Sequence, residues 1–158
     1  MKILLIIVVI AAVFYLVQYF LNGKATLNAK ENIQAGEEFL AKNAEQEGVI
    51  TTASGLQYKV LSPGDGEVQP TSTDKVTVHY HGSLLDGPFF DSSVDRGEPI
   101  AFGLNQVNKG WTEGVQLMVT GEKTRFFIPS KLAYGNQSMR AIKGGSTLIF
   151  DVELIAIN

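Results

Sequence analysis

The longest apolar stretch of this chain lies at its beginning. Residues 3 to 21, ILLIIVVIAAVFYLVQYFL, carry no charge and a single amide. A helix of that length rises 1.5 Å per residue and covers roughly the 30 Å hydrocarbon thickness of a bilayer. Residues 1–22 are therefore predicted to form one uncleaved transmembrane signal anchor. A cleaved signal peptide is the alternative, although its apolar region usually has only ~7–15 residues before a small-x-small cleavage site.

The charges that flank this apolar stretch bear on its orientation. Lys2 precedes it, whereas Lys24 and Lys30 follow it. Positive charge favours the cytoplasmic side, so the two flanks compete. We expect the amino end in the cytoplasm, a single pass through the inner (cytoplasmic) membrane, and the rest of the chain in the periplasm or otherwise outside the cytoplasm.

Residues 23–48 are predicted to form a spacer helix. They contain good helix formers and few β-branched residues. Their apolar stripe is thin and consists of Ala29, Ile33, Leu40 and Ala44. Because the stripe is too narrow for a deep core, one interpretation is a mostly solvated helix that holds a domain off the membrane. The other is a self-association surface with Phe39 and Leu40 as its contacts.

Residues 49–158 have the sequence pattern of an antiparallel sheet, with short segments of alternating apolar and polar residues between turn residues. Strands are predicted over residues 124–128 and 147–157. Two further strands are predicted from alternating apolar positions, namely Leu56, Tyr58 and Val60 in one and Val76, Val78 and Tyr80 in the other.

The alternating period is interrupted once, between Asn108 and Met118. Trp111, Val115 and Met118 recur there at the spacing of one helical face. A short helix can cover the concave face of a curved sheet and place Trp111 at the bottom of a cleft. The predicted fold class is therefore α+β, a curved antiparallel sheet wrapped around one short helix.

Charge and composition exclude several functions. The part of the chain beyond the apolar stretch has 12 basic residues, Lys2 being left out, and 16 acidic ones, so its formal charge is −4. Together with the lack of a basic cluster or a phosphate-binding glycine motif, this argues against a nucleic-acid partner. The absence of cysteine is compatible with export.

Hydrolytic and metal chemistry find little support. His79 and His81 are the two histidines and share one strand face, but no cysteine or suitably spaced carboxylate completes a zinc site. We expect these histidines to face solvent. No serine lies in a G-x-S-x-G elbow, and no second carboxylate pairs with Asp91. No metal and no cofactor are expected.

An aromatic set remains as the candidate for a site. Its members are Tyr80, Phe90, Trp111, Tyr134 and Phe150. Each taken alone could be an ordinary core residue. Their order and local sequence favour a shared pocket.

Five segments carry a family resemblance, and they occur in the family's order: VTVHYHG (76–82), PFFDSS (88–93), KGWTEGVQLM (109–118), IPSKLAYG (128–135) and STLIFDVELI (146–155). Residues 49–158 resemble the FKBP-type peptidyl-prolyl cis-trans isomerases. SGLQYKVL (54–61), behind a helix, is similar to the bacterial macrophage-infectivity-potentiator branch. Those relatives carry a helical dimerisation segment where this chain has its apolar stretch.

The resemblance implies an FKBP-like isomerase domain and a pocket. The implied catalytic residues are Tyr80, Phe90, Asp91, Trp111, Tyr134 and Phe150. The implied substrate-binding residues are Ile100, Val107, Asn108 and Ile142. The implied partners are unfolded or partly folded polypeptides with X-Pro bonds, and macrolide inhibitors are candidate ligands.

Asp91 has two interpretations. Prolyl isomerisation needs no proton transfer, so its carboxylate can orient the pocket rim by accepting a hydrogen bond from Tyr80. The alternative is a structural ion pair with a residue such as Arg96.

Three features depart from the family pattern. Asn108 replaces an apolar residue, which is expected to wet the site near its main-chain donor. Lys143-Gly144-Gly145 stands where relatives commonly have a proline pair, which predicts a looser loop. The segment from Phe102 to Gly110 is also shorter than in many relatives.

Three functions therefore compete. The first is a membrane-anchored prolyl isomerase that assists the folding of exported proteins. The second is a noncatalytic peptide-binding module of the same fold. The third is a scaffold that oligomerises through its spacer helix.

Overall fold

The computed structural model describes residues 2–87 and 89–158, with side chains described from residue 7 onward. Met1, Pro88 and the side chains of residues 2–6 lie outside this description. Lys2, on which the predicted orientation partly rests, and part of the predicted anchor are therefore not described at side-chain level.

The predicted anchor and the predicted spacer belong to one continuous helix, α1, over Lys2–Asn43. Large apolar side chains of its first half are exposed, as with Phe14 at 63% and Phe20 at 73%. Among the described residues, this is one helix that is long and apolar enough to cross a membrane, and the apolar part is not buried in the protein.

The remainder of the chain is built around one antiparallel sheet of seven strands. The strands are β1 (Ile50–Thr51), β2 (Gln57–Ser62), β3 (Lys75–Leu84), β4 (Phe89–Ser92), β5 (Ile100–Gly103), β6 (Lys123–Ile128) and β7 (Leu148–Ile157). They lie in the order β1-β2-β6-β7-β3-β4, and β5 pairs with the first half of β3 beside β4. The α+β fold class is confirmed.

The predicted short helix is α3, Lys109–Val115, and it packs on the sheet. Trp111, Val115 and Met118 are all buried against the sheet, as their spacing predicted. Gly110 and Gly114 allow the close approach, because a Cβ on them would meet Ile128 at 2.4 Å and Phe126 at 2.6 Å. A second small helix, α2, covers Ser93–Arg96. Ser92 caps its amino end, and the Ser92 hydroxyl accepts a hydrogen bond from the Asp95 N–H.

The alternating pattern predicts the burial of β3 and β7 correctly but not that of β2. On β2, Val60 is 44% exposed, whereas the polar Gln57 is 4% exposed. Gln57 is buried because α1 covers it: its amide donates to Leu40 O at 2.8 Å and accepts from Asn43 Nδ2 at 2.8 Å.

The second half of α1 is thus packed on the domain along one face. Ala29 is 3% exposed, and the rings of Phe39 and Phe127 lie 5.9 Å apart. Most residues of the predicted spacer are nevertheless exposed, and the one buried face makes its contacts partly through amide side chains, which an apolar count misses. Phe39, the expected self-association contact, is used within the chain.

Candidate active site

An aromatic cavity of about 380 Å³ opens between the sheet and α3. Trp111 forms its floor and is 6% exposed. The Trp111 ring makes edge contacts with Tyr80, Phe102 and Phe150, with centroids 5.7, 5.5 and 5.2 Å apart. Phe90 meets Phe150 edge-on at 5.4 Å. Such perpendicular packing is favourable for aromatic rings and holds the walls rigid.

Nine of the ten predicted site residues line this cavity: Tyr80, Phe90, Asp91, Ile100, Val107, Asn108, Trp111, Tyr134 and Phe150. Ile142 does not. It is 6% exposed and belongs to the hydrophobic core beneath the cavity, where its backbone bridges to Met139. The inward turn of this loop buries Ile142 and leaves Met139 at the cavity.

Sequence reasoning missed Phe102, Gln106 and Met139, which also line the cavity. Phe102 could have been found, because it lies two residues after Ile100 on β5 and therefore on the same face. Met139 carried no periodic signal, since it lies in an irregular loop. Residues 134–145 are called the cavity loop below.

Asp91 lies at the cavity rim and makes both of the contacts that were considered as alternatives. Its Oδ2 accepts a hydrogen bond from the Tyr80 hydroxyl, and its Oδ1 pairs with Arg96 Nη1. Arg96 Nη2 also donates to the Tyr80 hydroxyl oxygen at 3.1 Å, so the three side chains form a closed network. The cap of α2 brings Arg96 back over this rim.

The network shifts the pKa of each member. Burial and the hydrogen bond to Asp91 raise the pKa of the Tyr80 phenol, so it remains a donor at neutral pH. Burial opposes ionisation of Asp91, but hydrogen bonds from Tyr80 and Arg96 and the Arg96 charge outweigh it and lower the pKa of that carboxyl. The hydrogen bonds to Tyr80 and Asp91 raise the pKa of Arg96. Asp91 is therefore a carboxylate that accepts hydrogen bonds.

Asn108 caps helix α3. Its Oδ1 accepts from the Trp111 N–H at 3.0 Å. Its oxygen is engaged by the helix end, but Asn108 also lines the cavity, so the expected wetting near its main-chain donor stays a prediction. The short segment before it makes a 3₁₀ turn, Leu104–Gln106.

His79 and His81 are partly buried and do not point freely into solvent. Their Nδ1 atoms lie 3.0 Å from Ser93 Oγ and 2.8 Å from Ser92 Oγ. Within residues 2–87 and 89–158, no group of three His, Asp or Glu side chains is arranged to hold a metal ion.

The Gly144-Gly145 pair of the cavity loop is closely packed. The Gly145 N–H donates to Gly135 O at 2.7 Å, and the Gly144 N–H donates to Ser138 Oγ at 3.0 Å. Both glycines are buried against α1. The looser loop expected from this pair stays a prediction, because residues 136–141 of the loop are exposed.

Comparison with known proteins agrees with the fold. A family model described as "FKBP-type peptidyl-prolyl cis-trans isomerase" matches residues 66–155, and one described as "Domain amino terminal to FKBP-type peptidyl-prolyl isomerase" matches residues 9–60. The first match covers more than half of the chain, which therefore belongs to the FKBP-type peptidyl-prolyl cis-trans isomerase family, as its motifs predicted.

Individual relatives point to the bacterial branch. The chain is 59% identical to the FKBP-type peptidyl-prolyl cis-trans isomerase FkpA of Aeromonas hydrophila over 86% of this chain and 50% of the relative. It is 43% identical to the outer membrane protein MIP of Legionella longbeachae over 82% of this chain and 55% of the relative. The crystal structure of FkpA from Escherichia coli superposes with a TM-score of 0.89 at 40% identity, covering 94% of this chain and 70% of that one.

The chain spans about half the length of the curated relatives it matches. The amino-terminal match extends into the predicted anchor, since residue 9 lies within the apolar stretch.

Proposed function

We propose that this protein is a membrane-anchored peptidyl-prolyl cis-trans isomerase that assists the folding of exported polypeptides. The observation that carries the proposal is the rigid aromatic cavity around Trp111, which has an ionic network at its rim. Family membership supports the reaction, and the exposed apolar half of α1 supports the anchor.

The reaction needs an environment more than a reactive group. Rotation about an X-Pro bond has a barrier of ~18–20 kcal/mol because the planar amide is stabilised by resonance. In the twisted transition state the nitrogen lone pair is no longer delocalised and the carbonyl is less polar. A dry apolar site therefore favours the twisted form over the planar one.

The cavity residues divide this work among them. Trp111 would support the proline ring, with Tyr80, Phe90 and Phe150 as walls. Ile100 and Val107 would contact the neighbouring substrate residues. These contacts expel water from the rotating bond.

Polar groups would fix the substrate backbone. The Tyr134 hydroxyl and a main-chain N–H at Asn108 are the candidate donors to its carbonyls. Asp91 would act by holding Tyr80 and Arg96 in place, with no transfer of its own proton.

The apolar half of α1 would place the protein in the inner membrane as a single pass, with the isomerase domain on the periplasmic side. Its substrates there would be unfolded or partly folded chains with X-Pro bonds. Macrolide inhibitors are candidate occupants of the same cavity, because it is apolar and has a few polar groups at its rim.

The test is cis-to-trans relaxation of short X-Pro peptides with the full chain in detergent micelles. We expect acceleration by wild type and a loss of at least about tenfold for Trp111→Leu, which keeps an apolar residue in the core but removes the aromatic floor. Phe89→Ala is the matched control, since Phe89 is 65% exposed and does not line the cavity. Folding is checked by circular dichroism.

Two results would overturn the proposal. Folded wild type that accelerates no peptide across several X residues would leave a noncatalytic peptide-binding module. Equal activity in wild type and Trp111→Leu would remove the cavity from the mechanism.

A further inference from the structure

We propose that helix α1 is a working part of the isomerase site, with Asn32 as a positioning residue that holds the cavity loop. This inference rests on the proposed function and deepens it. It gives the segment before the isomerase domain a part in setting substrate preference.

The docked face of α1 follows helical spacing. Ala29, Asn32, Gly36 and Asn43 are separated by three, four and seven residues, so they lie on one side of the helix. Gly36 permits the closest approach, because a Cβ there would lie 2.2 Å from Thr147 Oγ1. The contact thus needs a small residue at its centre and amides at either side.

Asn32 and Asn43 make matched hydrogen bonds to different parts of the domain. Asn32 Nδ2 donates to Gly144 O at 2.8 Å, which lies in the cavity loop. Asn43 Nδ2 donates to Gln57 Oε1 at 2.8 Å, which lies on β2 at the far edge of the sheet. One residue therefore docks the loop, and the other docks the scaffold.

The loop is shaped to receive the helix. Gly145 has φ +78, and a Cβ there would lie 2.1 Å from the Ala29 carbonyl oxygen. A Cβ on Gly144 would meet Asn136 O at the same 2.1 Å. Only glycine at these two positions allows the end of the cavity loop to lie this close both to α1 and to the start of the same loop.

The contact reaches the cavity through a short rigid path. The Gly145 N–H donates to Gly135 O at 2.7 Å, directly after Tyr134. Met139 N–H donates to Ile142 O at 2.8 Å, and Ile142 is buried in the core. Of the two cavity-lining residues of this loop, Tyr134 is thus linked through Gly135 and Gly145 to α1, and Met139 is linked through Ile142 to the core.

The experiment compares Asn32→Ala, Asn32→Asp and Asn43→Ala in the full chain in detergent micelles. Asn32→Asp keeps the shape of the side chain but cannot donate to Gly144 O when ionised. Two readouts are measured: amide hydrogen exchange in a peptide covering residues 135–145, and kcat/KM for peptides with small or bulky residues before proline.

We expect both Asn32 variants to exchange about threefold to tenfold faster in this loop, the range that loss of one neutral hydrogen bond allows. The kcat/KM should fall by a similar factor, and the ratio between bulky and small X residues should change. A merely destabilised protein would lower activity on all peptides by one factor. Asn43→Ala should change loop exchange and the substrate ratio by less than about twofold.

The outcomes separate this inference from the proposed function. Unchanged loop exchange and an unchanged substrate ratio in both Asn32 variants would overturn the inference while wild-type activity stands. Equal effects of Asn32→Ala and Asn43→Ala would also overturn it, because docking in general would then be responsible. An inactive wild type would overturn the proposed function, and the exchange comparison would still decide whether Asn32 holds the loop.

Discussion

Two arginine–aspartate pairs in this protein have similar chemistry and different surroundings. Asp91 and Arg96 meet at the rim of the cavity, 2.5 Å apart, on residues that are five positions apart. Arg125 and Asp151 lie directly opposite each other on β6 and β7 and make two bonds, of 2.6 and 2.8 Å. The first pair includes a third partner, Tyr80, whereas the second is a two-residue fork.

The role of an ion pair therefore depends on which parts of the structure it connects. The register of β6 and β7 already places Arg125 opposite Asp151, so their pairing adds to a geometry that the sheet sets. At the rim, Arg96 belongs to α2 and Tyr80 to β3, and Asp91 connects them across an open cavity. Only the rim pair can therefore change the shape of the site.

The largest expected effect comes from truncating the rim carboxylate. Asp91→Ala should lower kcat/KM by about tenfold, because the Tyr80 hydroxyl and Arg96 lose their shared acceptor. Asp151→Ala is the matched control and should leave kcat/KM within about twofold. Peptide relaxation assays at neutral pH compare the two. Equal losses in both variants would show that the rim pair has no special place.

Removing only the third partner should cost less. Tyr80→Phe keeps the aromatic wall and deletes one hydroxyl, so we expect a loss of about threefold to fivefold in kcat/KM. A double variant with Asp91→Ala should lose little more than Asp91→Ala alone, since both act through one network. Fully additive losses would mean that the two residues act independently.

Acid should affect the rim pair only at low pH. The folded pKa of Asp91 lies below its ordinary value, so its contribution is complete above about pH 4 and is lost as pH falls through the folded pKa. The ratio of kcat/KM between wild type and Asp91→Asn should therefore stay constant from pH 8 to pH 5. A ratio that falls as pH rises across this range would instead indicate that Asp91 donates a proton.

The smallest effect should be on stability at the sheet pair. Asp151→Ala should lower the free energy of unfolding by about 1 kcal/mol, because ion pairs that keep contact with solvent contribute little. Chemical denaturation of the full chain in detergent would measure it, with Glu67→Ala as a control at an exposed acidic residue outside the sheet pair. A loss of several kcal/mol would show that this pair, too, organises structure around it.

Much of the site could be predicted because its residues lie on regular elements. Trp111, Tyr80 and Phe150 occupy periodic positions on α3, β3 and β7, where spacing determines which face is buried. The residues next to them in the sequence also match the motifs of the family. Periodicity and motif therefore agree wherever the backbone is regular.

The errors fall where contacts are between distant segments. Ile142 was expected at the cavity and lies in the core, and Met139 was missed, because an irregular loop has no repeat from which to infer direction. Gln57 and Gly144 are buried because α1 lies on them; Gln57 is 17 residues from its partner Leu40, and Gly144 is 112 residues from its partner Asn32. The local sequence of either segment does not predict its contact with a helix that is distant in the chain.

The continuity of α1 also determines what the cavity can reach. No break separates the apolar stretch from the face that docks on the domain, and Leu21 and Ala29, eight positions apart, are separated by only about 12 Å along the helix. A flexible tether would let the domain sample a wide shell of solution. With the proposed anchor in a bilayer, a stiff helix would instead confine the cavity to a thin layer beside that bilayer, and the chains it met most often would be those just leaving the membrane.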